Sequence, residues 1–279
     1  MSEFQRLIRF EDESGNVIYG DLNEELPAAQ IVGKTVSVLD GHVQSGFTKT
    51  DKKATVKKLL SPLPKAHAII CVGLNYAHHA KEANLTVPPY PVIFTKPPDA
   101  LAGPLDEVPV HPSAQEMLDY EGELTIIIGK DAKNVSEADA LNYILGYTSG
   151  NDVSARNFQL PEVSGGQFCY AKSFDAFAPI GPAIVHPSLV PDPQGLKLWT
   201  KVNGEVRQES GTNDMIWSVA KIVEHVTRGT TVRKGTVVMT GTPSGVGLFM
   251  SPKGFIKDGD EVEVGIEGVG SISNKIRFE

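Results

Sequence analysis

The chain is short of the residues that mark several large protein classes. Its 279 residues include two cysteines, Cys71 and Cys169, far apart and in no CxxC pair. A disulfide framework and a thiolate zinc site are therefore both excluded as expectations. No apolar run nears the roughly 20 residues needed to span a bilayer. The first twenty residues lack an apolar leader core and carry acids early, so the cytosol is the expected compartment. Lysine and arginine number 26 against 34 aspartates and glutamates, for a net charge of −8. That balance gives no general pull toward nucleic acid or anionic membranes, and neither is expected as a partner. Repeats and low-complexity tracts are absent too. What remains, 41% hydrophobic and 22% charged residues, is the composition of an ordinary folded protein long enough to bury a sizeable core.

Glycine (27) and proline (19) are somewhat abundant, which favours many turns and short strands over a helical bundle. Residues 1–62 read as a small β-rich N-terminal domain, with Leu7, Arg9, Val17, Tyr19, Val36 and Val38 in short alternating segments between glycines. Ser61-Pro62-Leu63-Pro64 would stiffen a connection there. Residues 63–279 read as one larger domain. Strands are expected at 67–72, 124–128, 143–149, 180–185, 196–202, 237–240, 261–266 and 271–277, from β-branched content and turn punctuation. Three helices are expected, at 76–83, 136–141 and 214–227. In the last, Met215, Val219, Ile222 and Val226 share a face, with Thr212 or Asn213 as cap. The fold class is α+β, mostly β.

The most informative segment is Glu121-Gly122-Glu123, running into the apolar residues 124–128. In a strand, residues two apart point to the same face. Two neighbouring carboxylates repel unless a positive charge lies between them. A hard divalent cation such as Mg²⁺ or Mn²⁺ would compensate them. The same spacing also suits a solvated acidic edge ahead of a buried strand. Asp152, at the expected end of the strand 143–149, supplies a third acid and favours the metal reading. Asp119 lies on the same face as a weaker fourth candidate.

These segments, with several others in order, resemble the fumarylacetoacetate hydrolase superfamily, in its branch of small acylpyruvate hydrolases and oxaloacetate decarboxylases. The matching runs are VGLNY at 72–76, FTKP at 94–97, EGE at 121–123, NDVSAR at 151–156, AKSF at 171–174, VNGEVRQ at 202–208 and TGTPSGVG at 240–247. The resemblance covers residue 66 onward. It implies a rolled mixed β-sheet, a homodimer, and a Mg²⁺ or Mn²⁺ site built from Glu121, Glu123 and Asp152. It also implies a lid bearing a catalytic pair, His79 and Glu82, and a lysine near the metal, Lys172.

Read from the residues alone, His79 and Glu82 share a helical face while His78 is rotated about 100° away. Two surface histidines on a polar helix would look the same. Lys172 alone could equally be a snorkelling lysine. Arg156 and Gln159 fall within a turn or so of Asp152 and could bind or orient a substrate oxygen, with Lys96 a further candidate. The loop 240–247 lacks the GxxxxGK phosphate-binding pattern. By the resemblance it borders the pocket and brings Thr242 to the substrate carboxylate. The expected activity is cation-dependent C–C hydrolysis of a small 2,4-dioxo acid (an acylpyruvate). The alternatives are decarboxylation of oxaloacetate, isomerisation of related oxo acids, and a catalytically silent metal-binding homologue. Specificity is expected from residues 84–91, residues 159–168 and the rim around Phe249.

Overall fold

The computed structural model describes residues 3–279. Fourteen strands carry the architecture. They are β1 (Arg6–Glu11), β2 (Val17–Asp21), β3 (Thr35–His42), β4 (Gly46–Thr55), β5 (Ile69–Gly73), β6 (Val92–Lys96) and β7 (Gly122–Ile128), followed by β8 (Ile144–Asn151), β9 (Ala178–Val185), β10 (Lys197–Val202), β11 (Glu205–Gly211), β12 (Val237–Met239), β13 (Glu261–Ile266) and β14 (Gly270–Phe278). All eight expected strands form, with ends shifted by at most two residues. Helices are few: α1 (Ala28–Ile31), α2 (Ala77–Glu82), α3 (Pro161–Ser164) and α4 (Val219–Thr227), with several single 3₁₀ turns. The fold is thus mostly β.

The larger sheet runs in the order β4-β3-β2-β1-β9-β8-β7-β12-β5-β6, with Lys58–Leu60 beside β1 and Leu101–Ala102 beside β9. It is mixed, because β5 and β12 pair in parallel while most neighbours are antiparallel. The second sheet runs β11-β10-β13-β14 and ends on Val108–Val110, paired in parallel with β14. The central strands β7 and β9 are buried along their whole length, which the apolar and small residues of β9 and the apolar end of β7 permit, Glu123 being the charged exception. The expected boundary near residue 62 falls between Lys58–Leu60 and β5. Strand β1 nevertheless pairs with β9, and Leu7, Ile69, Ile127, Ile180 and Val237 share one buried cluster, so the sheet is continuous across it.

The expected helix at 214–227 needs correcting. Only Val219–Thr227 is α-helical, and its cap is Ser218, whose hydroxyl accepts from the Lys221 N–H at 3.1 Å. Met215 lies outside the helix and bridges to Tyr76 instead. The buried side chain of Asn75 explains the delay. Its Oδ1 accepts from the Trp217 N–H at 2.8 Å, and its Nδ2 donates to the Trp217 carbonyl at 3.1 Å. A backbone claimed by that amide is not free to wind. From Val219 onward Ile222, Val223 and Val226 pack on β7 and β12, each such burial contributing roughly 1.5–3 kcal/mol. The expected helix at 136–141 is a 3₁₀ segment, Glu137–Tyr143, capped by Ser136.

Candidate active site

The site grows from one antiparallel pairing. Gly122 opposes Asn151 and Glu123 opposes Gly150, which sets the start of β7 beside the end of β8. The Asp152 N–H donates to the Glu121 carbonyl at 2.9 Å, and the Asn151 side chain accepts from the Glu121 N–H at 3.0 Å. Glu121 and Asp152, 31 residues apart in sequence, thereby become neighbours. One oxygen each from Glu121, Glu123 and Asp152 lies within 4.8 Å of the others, and all three residues are buried. Gly122 makes this possible from behind. A Cβ there would lie 2.1 Å from Thr200 Oγ1 on β10, so the second sheet presses on the face opposite the acids.

Three bases meet these acids. Lys172 Nζ bridges Glu121 Oε2 at 2.8 Å and Asp152 Oδ2 at 2.7 Å. Arg156 places its terminal Nη2 2.7 Å from Glu121 Oε1 and its Nε 2.8 Å from Asp119 Oδ2, and donates through Nη1 to Gln159 Oε1 at 2.7 Å. Lys96 is not on the substrate face, contrary to expectation. Its buried ammonium pairs with Asp152 Oδ1 and donates to the carbonyls of Phe177 and, at 3.1 Å, Val153. The residue sits on β6, one strand beyond β5, and its side chain runs under the cluster. Asp119 does not join the three-acid cluster. It accepts from the N–H groups of Gly247 at 2.7 Å and Leu248 at 3.0 Å, fixing the loop after β12.

The acids end up electrostatically unequal. Burial alone would raise Glu121, but Lys172 and Arg156 outweigh it and bring its pKa down to about 2. Glu123 has no basic side chain paired with it, only the Gly241 N–H at 2.6 Å. Burial, then the carboxylates of Asp152 and Glu121, push it well above the ordinary range. Four buried acids therefore face three buried bases, and the unmatched charge falls on Glu123. Three carboxylate donors with that excess fit a hard divalent cation, and the donor set contains no soft ligand.

Helix α2 covers the cluster. His79 Nδ1 lies 3.0 Å from Glu82 Oε2, and Glu82 Oε1 accepts from the Gly245 N–H at 3.0 Å. A carboxylate at Nδ1 makes that nitrogen the donor and leaves Nε2 with its lone pair. His79 is 8% exposed and its ring lies 5.8 Å from that of Phe249. His78 points the other way, with a 75% exposed side chain whose Nδ1 is 2.6 Å from Asp214. Asn75 anchors this arrangement by also donating to the Thr240 carbonyl at 2.6 Å. Gln208, in the run at 202–208, ties the start of β7 to the loop after β12. Its Oε1 accepts from the Gly122 N–H at 2.9 Å, and its Nε2 donates to Thr242 Oγ1 at 2.8 Å. Nothing in the spacing singled out either amide, because each acts on backbone distant in sequence.

A cavity of about 370 Å³ joins these parts. His79, Glu121, Arg156, Gln159, Lys172 and Thr242 all line it, as expected for a shared site, whereas Lys96 does not. Leu85, Gln159, Leu160, Phe168 and Phe249 form part of its wall, in the three segments expected to set specificity.

Fold and site together define a class: a mixed β-sheet protein with three clustered buried carboxylates, one of which lines a small cavity together with a histidine held by a glutamate. Residues 68–277 match the family described as fumarylacetoacetate (FAA) hydrolase C-terminal. The chain belongs to that family. It is 43% identical over 217 residues to human mitochondrial oxaloacetate tautomerase FAHD2A, spanning 78% of this chain and 68% of that protein. It is 41% identical over 222 residues to oxaloacetate tautomerase YisK of Bacillus subtilis strain 168, spanning 78% and 73%. The crystal structure of 2-hydroxyhepta-2,4-diene-1,7-dioate isomerase from Mycobacterium marinum superposes with a TM-score of 0.83 at 37% identity, covering 99% of both chains. Two of these relatives are named tautomerases and the third an isomerase. No helix among the described residues is long and apolar enough to cross a membrane.

Proposed function

We propose that the chain is a divalent-cation-dependent enolising enzyme for small 2-oxo acids, with keto–enol proton transfer as its reaction. The observation that carries this reading is that His79, held by Glu82, lines the same cavity as Lys172 and Glu121, with Glu123 and Asp152 clustered within 4.8 Å of Glu121. Glu121, Glu123 and Asp152 would hold Mg²⁺ or Mn²⁺, which when bound would act as a Lewis acid toward the 2-oxo group.

The chain's own residues supply the proton chemistry. His79 Nε2 removes a proton from C3 of the substrate, and the electron pair of that C–H bond becomes the enolate double bond. Glu82, at Nδ1, stabilises the imidazolium that forms. The Lys172 ammonium, held between Glu121 and Asp152 on the cavity lining, offsets through its field the negative charge that develops on the 2-oxygen. The His79 imidazolium gives that proton up to the 2-oxygen, which completes the enol and returns the ring to its neutral form, and the reverse sequence restores the keto acid. The names of the tautomerase and isomerase relatives support this reading over hydrolysis. Hydrolysis of a 2,4-dioxo acid would use the same pair to activate water, and decarboxylation of oxaloacetate would need no base.

The test separates the three. Enol decay, carbon dioxide release and pyruvate formation are followed for oxaloacetate and a simple acylpyruvate, with Mg²⁺, with Mn²⁺ and after chelation. The expected result is cation-dependent enol–keto equilibration that outpaces carbon dioxide release and leaves the acylpyruvate carbon skeleton intact. Carbon dioxide accounting for all enol loss, or stoichiometric pyruvate from the acylpyruvate, would replace tautomerisation with decarboxylation or hydrolysis. Full activity after exhaustive chelation would remove the metal.

A further inference from the structure

The two ends of the cavity differ in chemistry, and the difference bears on what the substrate carries beyond its reacting carbons. At the inner end lie Glu121, Arg156 and Lys172. The rest of the lining is largely apolar, built by Leu74, Leu85, Phe94, Leu160, Phe168 and Phe249, with the Phe94 ring beside the bases, its centroid 5.1 Å from Lys172 Nζ. Phe168 and Phe94 meet edge to face with centroids 5.8 Å apart, so the wall is packed rather than a loose rim. Leu85 and Phe249 remain 56% and 37% exposed at its mouth. Apolar groups left open beside a reacting centre are groups a ligand can cover.

Among the described residues, no positive charge lining that cavity is free of an acidic partner. The fixed cations lining the cavity are Arg156 and Lys172. Each is already committed at 2.7–2.8 Å to Glu121 and to Asp119 or Asp152. His79 has Glu82 on its Nδ1, and Gln159 and Thr242 are neutral. A carboxylate brought against this wall would lose its water without gaining a charged partner, which is costly. An alkyl or aryl group there would gain burial.

Resting on the enolising reading above, we infer that this chain prefers 2-oxo acids whose far end is uncharged and apolar over four-carbon diacids such as oxaloacetate. Phe168 and Leu160 are its specificity-determining residues. Phenylpyruvate, which enolises at the same carbon and ends in an aryl ring, is the probe.

The experiment measures Mg²⁺-dependent tautomerisation kcat/KM for phenylpyruvate and oxaloacetate, and calorimetric Kd for both with Mg²⁺ present. Wild type should favour phenylpyruvate at least about tenfold in both readouts, a modest return for one apolar group in a fitted pocket. Phe168→Arg should shift the ratio at least about tenfold toward oxaloacetate, and Leu160→Arg serves the same purpose should the first variant fail to fold. Turnover of both acids with oxaloacetate preferred overturns this inference and leaves the enolising reading standing. Turnover of neither overturns that reading, and the two Kd values then decide the wall's preference by themselves. A ratio unmoved by either folded variant removes the residue assignment.

Discussion

Replacing Glu123 by glutamine isolates the charge left over in the acid cluster. The amide keeps the shape, can still accept from the Gly241 N–H, and resembles the protonated acid. In the cation-free protein Glu123 titrates well above its ordinary value of 4.5, through burial and the carboxylates of Asp152 and Glu121. The sign follows from proton binding. Above pH 4.5 the unfolded chain has lost this proton while the folded chain retains it. Stability therefore falls as pH rises, by about 1.4 kcal/mol per pH unit, until the folded group itself ionises. Glu121 cannot mask the effect, because its depressed value of about 2 places its own loss of stability below pH 4.5. The assay is urea or thermal unfolding of wild type and Glu123→Gln from pH 5 to 8 in chelator. The difference between the two cancels His186 and His225, whose values burial lowers in both proteins. The variant should gain on wild type by roughly 2–4 °C per kcal/mol as pH rises. Saturating Mg²⁺ should reverse the order by stabilising wild type more. Parallel pH profiles in chelator would refute the assignment of the excess charge to Glu123.

Lys96→Met should cost about 3–5 kcal/mol in unfolding free energy, because it leaves Asp152 with Lys172 alone and the buried cluster with a second unmatched negative charge; a loss under 1 kcal/mol would show that the pair is dispensable. Lys172→Met should lower kcat on the order of 10²-fold or more while the protein stays folded by circular dichroism, and a change confined to KM would reduce Lys172 to a binding role. His79→Ala should cut enolisation about 10²–10⁴-fold, with His78→Ala near wild type; the opposite pattern in kcat would exchange the roles of the two rings.

The strands were legible because β-branched runs between turn residues are local signals, and each of the eight forms within two residues of its expected ends. The acid cluster was legible for a related reason. Alternation along a strand puts Glu121 and Glu123 on one face, and a strand end displays Asp152. What could not be read were partners fixed by tertiary contact. Lys96 looked like a substrate ligand because its sequence carries no sign that the ammonium turns inward to Asp152 and two carbonyls. Arg156 lines the cavity as expected, yet Glu121, Asp119 and Gln159 occupy its guanidinium, so it positions the acids rather than waiting for an anion. Met215 fitted the helical stripe until Asn75, 140 residues earlier, took the backbone of its neighbours.

Gly122 has a mechanical consequence. A close approach between the two sheets, at Thr200, lies directly behind the acid pair. Close-packed interiors resist small displacements and transmit strain instead of absorbing it. Glu121 and Glu123 therefore cannot relieve their repulsion by letting the strand bow away, since the second sheet blocks that path. Their mutual force has to be answered by a change of charge, through a proton or a cation, with the backbone nearly still. The start of β7 acts as a stiff mount rather than a spring. Loading the site should alter hydrogen exchange in helix α2 and the loop over the cavity far more than in β7 or β10.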